Sequence, residues 1–381
     1  MHAVGPDYGF GLYIHWPYCA RVCPYCDFNV YAAKDRDEDP LLDAIVRDLR
    51  AWREALPEHP KLDSVFLGGG TPSLLSSAEI KRLLRAAEDT FGLHAEAEIT
   101  LEANPNDILA TNLTALADAG INRLSVGVQS LDDTALSFLG RDHQSSVALQ
   151  AIDLIQPVFD NHSIDLIYAR PGQSTDAWAD ELSRALSLGA PHLSLYELTI
   201  EERTAFGKRA ARGDLIPMED DDQANLYEET QSLCEAHGLP AYEVSNHARS
   251  EAYESQHNHI YWASGDWIGV GPGAHGRLTI DGVRYATEAA RRPADYIART
   301  GDERSSLSHE STAREFLAMA LRPTSGLDLE RFQTLFGSEA DPETIANLVE
   351  TGQAVSDGSR LKLTAQGRLI ADYIASLLAP Y

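Results

Sequence analysis

Basic residues are in short supply. Lys and Arg number 31 against 58 Asp and Glu, a net charge of −27 over 381 residues. Sequence-independent nucleic-acid binding draws its affinity from clustered Lys and Arg, so nucleic acid is not expected as a partner. Long apolar runs are missing too: nothing approaches the ~18 residues that a membrane-spanning helix needs. The opening, MHAVGPDYGFGLYIHW, lacks a basic stretch followed by an apolar one, so it does not read as a secretory leader. A cytoplasmic protein is the expectation. Cysteines are few, and three of the four fall within eight residues, at Cys19, Cys23 and Cys26. A disulfide framework needs paired, spread cysteines. The crowding points to metal ligation instead. Cys234 lies in a helical pattern and reads as a small buried hydrophobe. Neither internal repeats beyond strand–helix units nor low-complexity stretches occur.

What is present is alternation. Short β-rich runs at 12–16, 64–70, 98–104, 123–130, 163–169 and 192–198 are separated by amphipathic helical stretches. Ser76 with Glu79 three later forms a capping-box signature at the start of one of them. Strands alternating with helices imply a parallel sheet covered by helices. Six such units predict an α/β fold, an open or partial (β/α)6 barrel, over residues 1–240. The polar punctuation Gly68–Thr71, Glu102–Asn104, Gln129–Ser130 and Asp165 falls at or near C-terminal strand ends, where the chemistry of such barrels collects. Asp165 sits inside its strand pattern, and an interior carboxylate needs a partner. Residues 241–305 read as a connecting segment rich in His and aromatics. Residues 306–381 predict helices, a two-stranded wing near AVSDGSRLKLT and a terminal helix from Ala365, a mainly helical, winged-helix-like domain. With this acidity it reads as a packing or docking module.

The loop HWPYCARVCPYCDFN carries C-x3-C-x2-C directly after the first strand. A structural zinc site completed by His15 is one reading, although such sites take four ligands, usually from paired C-x2-C units. A four-iron cluster takes four cysteines. With three, one iron keeps an open position at which another molecule can bind. The segment GGGTPS is a Gly-rich turn whose backbone can approach a ligand closely, and equally a tight strand–helix turn.

These segments together resemble the radical S-adenosylmethionine (SAM) superfamily, whose cysteine motif is matched by Cys19, Cys23 and Cys26. The resemblance implies a [4Fe–4S] cluster on these cysteines, with SAM chelating the fourth iron. It further implies SAM contacts at Gly69, Gly70 and Thr71, at Glu102 in EANP, at Gln129 in VGVQS, at Arg141 in GRDHQ and at Asp165 in SIDLIYA. Tyr13 and Tyr25 match positions that line the cofactor.

Nearly the whole chain resembles the coproporphyrinogen III oxidase-like group of that superfamily, through GGGTPSLL, EANP, RLSVGVQSLDD, DLIY followed by PGQ, and SLYELTIEERTAF. Within it, three features lean toward the heme-chaperone branch. Phe28 stands where the oxidase resembles a further cysteine. The first strand begins close to the start of the sequence, where the oxidase carries a long extension. HNHIYW at 257–262 matches H-N-x-x-Y-W, a motif of the chaperone branch. Arg170 departs from the leucine that the family commonly has. The resemblance thus implies heme as ligand, heme-accepting apoproteins as partners and an electron donor for the cluster, with homodimer formation left open. The alternatives are oxygen-independent coproporphyrinogen III oxidation and a non-catalytic scaffold with a structural metal. Heme iron takes an axial ligand in an apolar, aromatic surround. His247, His257, His259 and His275 lie among Tyr253, Tyr261, Trp262 and Trp267, with His257 the leading candidate ligand and His259 the next. Structural use of any of these histidines is the competing reading.

Overall fold

The computed structural model describes residues 4–33, 38–56, 58–298 and 303–379. Six parallel strands form the barrel wall: β1 (Phe10–Trp16), β2 (Leu62–Gly69), β3 (Leu93–Ala103), β4 (Arg123–Gln129), β5 (His162–Tyr168) and β6 (His192–Glu197). They lie side by side in chain order, each within a few residues of the run expected from the sequence. The helices between them cover the outer face. One, Ser77–Phe91, starts with the full capping box of Ser76 and Glu79.

Period-two alternation builds two different faces. Val65, Leu67, Leu101, Leu124, Val126, Ile164, Leu166 and Leu193 are buried and join the main hydrophobic core. The intervening positions carry polar groups toward the lumen. Parallel register puts Glu102 beside Ser125, Ser125 beside Ser163, and Asp165 beside Ser194. The polar strand positions of the sequence therefore share one face.

The sheet does not close. At one edge β7 (Asn246–Ala248) pairs antiparallel with β6. At the other, β8 (Asp266–Val270) runs parallel to β1, and β9 (His275–Ile280), β10 (Val283–Glu288) and β11 (Glu303–Ser306) continue antiparallel beyond it. The segment expected as a connector thus supplies five strands to an eleven-stranded sheet. It also supplies the helix Gln256–Trp262, which packs across β1 and β2. Glu98, buried on β3, accepts the backbone N–H groups of Gln256 and His257 at the start of this helix, both at 3.2 Å.

The C-terminal unit has its own core, with Phe316, Leu317, Leu321, Phe332, Leu348, Leu361 and Ile374. Its helices are His309–Ala320, Leu329–Phe336, Pro342–Glu350, Ala365–Arg368 and Ala371–Leu378. The hairpin Ala354–Ser356 with Arg360–Leu363 is the expected wing, extended by Leu327–Asp328. Val4 inserts into this core from the other end of the chain. Arg331 caps the ring of Tyr8 at 3.5 Å and donates to the Ala263 carbonyl at 2.7 Å. Among the described residues no helix is long and apolar enough to cross a membrane.

Candidate functional site

Beyond β1 the chain turns into the cysteine loop. A two-residue parallel pairing of Tyr18–Cys19 with Tyr31–Ala32 closes it at its base. Its far end is pinned by Asn29, whose side-chain N–H groups donate to the carbonyls of Pro272 and Arg291, both at 2.8 Å. The glycine turn after β2 runs alongside the loop's entry. Gly70 and Thr71 donate their N–H groups to the carbonyls of Trp16 and Tyr18, at 2.7 and 2.8 Å. Gly69 has φ +99°, and a Cβ there would sit 2.4 Å from the His15 ring. A Cβ on Gly70 would meet two backbone carbonyls at 2.7 Å. These glycines are required by close packing on the chain itself, whatever they also touch.

A cavity of about 720 Å³ opens between this loop and the C-terminal rim of the barrel. Cys19, Cys23 and Cys26 line it, and none is in a disulfide. All nine residues matched to the cofactor line it too: Tyr13, Tyr25, Gly69, Gly70, Thr71, Glu102, Gln129, Arg141 and Asp165. They come from positions up to 152 residues apart, which only the curl of the parallel strands around a shared lumen can gather.

Glu102 accepts the N–H of Gly69 at 3.0 Å. Burial, then the charge of Asp165, lifts its pKa to about 7. Asp165 accepts the hydroxyls of Ser125 (2.7 Å) and Ser163 (2.9 Å), and burial raises its pKa. The serines are the partners that an interior carboxylate requires. Arg141 places a guanidinium nitrogen 3.5 Å from the Cys23 Sγ, donates to the Gly127 carbonyl at 3.0 Å and bonds the Asn104 side chain. Thr71 Oγ1 accepts from Asn104 at 3.3 Å. The side-chain oxygen of Gln129 is buried and has no partner. Burial raises the Cys19 thiol pKa and pushes Cys26 to about 11.

The donor set fits an iron–sulfur cluster. Three free thiols line one wall of the cavity, and a guanidinium stands by to offset thiolate charge. Zinc fits less well. Thiolates on one zinc sit about 3.8 Å apart, from a 2.3 Å bond and tetrahedral angles. Among the described residues no three His, Cys, Asp or Glu side chains converge tightly enough for a single metal ion. His15, the histidine that could have completed a zinc site, has both nitrogens engaged, with the Tyr13 hydroxyl and the Asn29 carbonyl, each at 3.0 Å.

The two histidines considered for heme lie apart. His257 is buried at the cavity wall, with Nδ1 2.7 Å from the Ser64 hydroxyl and Nε2 2.7 Å from that of Tyr261. Both ring nitrogens are taken, and burial lowers its pKa to about 3. His259 is half-buried outside the cavity. Its Nε2 pairs with Glu254 at 2.6 Å, and its ring lies 5.6 Å from that of Tyr242 and 5.5 Å from that of Trp262. Sequence reasoning passed over His15 as a brace, and Asn29 and Arg123 altogether; it placed Asn104 at a strand end and Tyr261 among the heme aromatics, without the bonds they make to Thr71 and His257. Arg123 and the Tyr261 contact were reachable: continuing the period-two count down β4 reaches Arg123, and Tyr261 stands four after His257 on one helix face.

Known proteins place this arrangement. A family model of the radical SAM superfamily matches residues 13–185, and the HemN C-terminal domain matches residues 307–370. The heme chaperone HemW of Bacillus subtilis is 34% identical, the match covering 95% of this chain and 97% of that protein. The mitochondrial radical S-adenosyl methionine domain-containing protein 1 of Mus musculus is 34% identical over 97% of this chain and 87% of its own. HemW of Escherichia coli is 39% identical over 75% of each. Among solved structures, coproporphyrinogen III oxidase (HemN) of Escherichia coli, described as a radical SAM enzyme, superposes with a TM-score of 0.81. It covers 99% of this chain and 91% of that one at 22% identity, which shows a shared fold. Membership of this superfamily implies a [4Fe–4S] cluster and SAM. The chain belongs to the radical SAM superfamily, in the group that includes HemW and the mitochondrial radical SAM domain-containing proteins.

Proposed function

We propose that this protein is a heme chaperone, one that binds heme and hands it to heme-accepting apoproteins. It holds a [4Fe–4S] cluster on Cys19, Cys23 and Cys26 and SAM among the nine rim residues. When bound, the cluster supplies one-electron transfer from an external donor, and SAM supplies an adenosylated sulfonium. The chain's own residues do the holding. Arg141 offsets thiolate charge at Cys23, and Glu102 and Asp165 offer acceptors to an ammonium and to hydroxyls.

The observation that carries this reading over porphyrinogen oxidation is the charge of the cavity. Five carboxylates (Asp27, Glu102, Asp165, Glu197 and Glu201) line it against three arginines. Arg141 is committed to the cysteine loop and Arg123 is buried 3.6 Å from Glu98. Among the described residues that line the cavity, Arg21 alone is left to face an anion. Coproporphyrinogen III carries four carboxylates, and such a substrate would be repelled here. Heme is better served outside the cavity. His259 backed by Glu254 repeats the carboxylate–histidine arrangement usual for metal-bound imidazoles, with Tyr242 and Trp262 as the aromatic surround. His259 therefore replaces His257 as the preferred axial ligand. Self-association during heme transfer belongs to the same reading.

The test is a pair of measurements on anaerobically reconstituted protein. Coproporphyrinogen should not turn over, and robust protoporphyrinogen formation would defeat the chaperone reading. In a heme titration, His259→Ala should lose the Soret shift of the wild type, whereas His257→Ala should keep it. A shift unchanged by His259→Ala removes that ligand from consideration.

A further inference from the structure

At the rims of two adjacent strands the backbone is strained. Gln129, the last residue of β4, has φ +66°, and the N–H of Ser130 reaches back to the Val128 carbonyl at 2.9 Å. That is a three-residue γ-turn of the positive-φ kind, which is rare and strained for a residue with a side chain. Just after β5, Ala169 has φ +56°. Such conformations persist only where the surroundings over-determine them.

One buried hub grips both turns. Ser130, which follows Gln129, donates its hydroxyl to Glu181 Oε1 at 2.5 Å, and the Leu131 N–H reaches the same oxygen at 2.8 Å. Arg170, which follows Ala169, donates to the Ser130 hydroxyl at 3.0 Å, to the Ile167 carbonyl at 3.1 Å and to Glu181 Oε2 at 2.5 Å. Ser130, Arg170 and Glu181 are all buried. The departure at Arg170 is thus matched by an acid on the following helix, Thr175–Ser187. The turn they fix presents the Gln129 amide at the cavity wall. Gly127 leaves it room, since a Cβ there would stand 2.9 Å from its nitrogen. Its oxygen has no partner within the protein.

We propose that Ser130, Arg170 and Glu181 are positioning residues that hold the Gln129 amide ready for a hydrogen-bond donor of the bound SAM. They tune cofactor affinity without touching the cofactor. This rests on the reading of Gln129 as a SAM contact. Without the hub, the turn relaxes to negative φ and carries the amide away from the wall.

The test is calorimetric titration of cluster-loaded protein with SAM. Ser130→Ala removes the hydroxyl that links hub to turn and leaves the Arg170–Glu181 pair in place. Its Kd should rise roughly three- to tenfold, the worth of one hydrogen bond, with iron and sulfide content unchanged. Ser130→Thr should restore it. If Ser130→Ala does not fold, the double variant Arg170→Met, Glu181→Met removes the charges at near-constant volume, and the same loss is expected. A lower Tm with unchanged Kd, while Gln129→Ala weakens binding, would mean a merely structural role and overturn the proposal. If Gln129→Ala itself leaves Kd unchanged, the SAM contact is wrong, and the positioning role falls with it.

Discussion

Single residues at the rim are set by burial. Glu102 titrates near pH 7 because it is taken out of water beside Asp165. Protonated it is neutral; ionised it attracts an ammonium or sulfonium. A bound cation favours the ionised form, so SAM should bind more tightly as pH rises from 6 to 8, the gain levelling off above the pKa, and the proton released on binding should fade over the same range. Titrations in buffers of different ionisation enthalpy read that release directly, and Glu102→Gln should flatten the pH profile. The thiols follow similar logic. Burial raises the pKa of the Cys19 thiol and takes Cys26 to about 11, so ligation must drive protons off both. Cys23→Ser leaves two thiolates, and iron and sulfide should fall from about four per chain to near zero. Iron content unchanged by that substitution would refute the cluster assignment. These residues were legible because cysteine crowding and polar residues at strand ends are local patterns. The engagement of His15 was not: its partner Asn29 belongs to a loop that returns only because Pro272 and Arg291 hold it.

At the scale of elements, the helix Gln256–Trp262 carries the H-N-x-x-Y-W motif as a brace across the barrel. Ser255 caps it, accepting the N–H of Asn258 at 3.4 Å, and Glu98 receives its first N–H groups. His257→Ala strips partners from Ser64 and Tyr261, and should cost about 2–4 kcal/mol in urea unfolding. Acid should do the same by another route. Burial holds His257 and His247 near pKa 3 and His192 well below its usual value. Their unfolded values lie near 6.5. Their contribution is therefore fully present above pH 6.5 and is lost as pH falls toward 3. Glu102 and Asp165, with Asp107, Glu197 and Asp266, are raised by burial and run the other way, so the drop is the excess of the histidine contribution over theirs. Urea midpoints should drop steadily below pH 6.5, and stability that is flat from pH 7 to 5 would contradict this burial. The six parallel strands could be read from their alternation because each buries an apolar outer face. Strands β8 to β11 escaped because they are short, Gly-rich or polar, and three of the four pair antiparallel beyond the barrel, without the continuous apolar run of a doubly covered strand.

Across the whole molecule, the C-terminal domain is fastened to the barrel by two ion pairs, one of them on a buried carboxylate. Glu243 is fully buried and accepts from Arg322 at 3.0 Å, as well as from Ser245 and Asn246 at 2.6 Å. Arg277 forks onto Glu315 at 2.9 and 3.0 Å. Arg322→Ala leaves a buried carboxylate short of its cation, and should destabilise by about 3 kcal/mol. Because that contact spans the two units, calorimetry should show one transition separating into two, with faster proteolysis near residue 307. A single transition at the wild-type temperature would mean that the Arg277–Glu315, Val4 and Tyr8 contacts suffice to hold the domains together.

By itself the sequence determined the parallel α/β barrel and the helical appendage, and it marked the three crowded cysteines as metal-ligand candidates, since alternation, capping and cysteine spacing act over a few residues. Only the tertiary structure decided which polar groups face one cavity, that His257 spends both nitrogens on Ser64 and Tyr261, and that Arg170 is neutralised by Glu181 beside Gln129. The His257–Ser64 contact joins residues 193 positions apart. Whether a buried polar group is free to bind or already satisfied depends on what the fold brings within about 3 Å of it, and no local pattern records that.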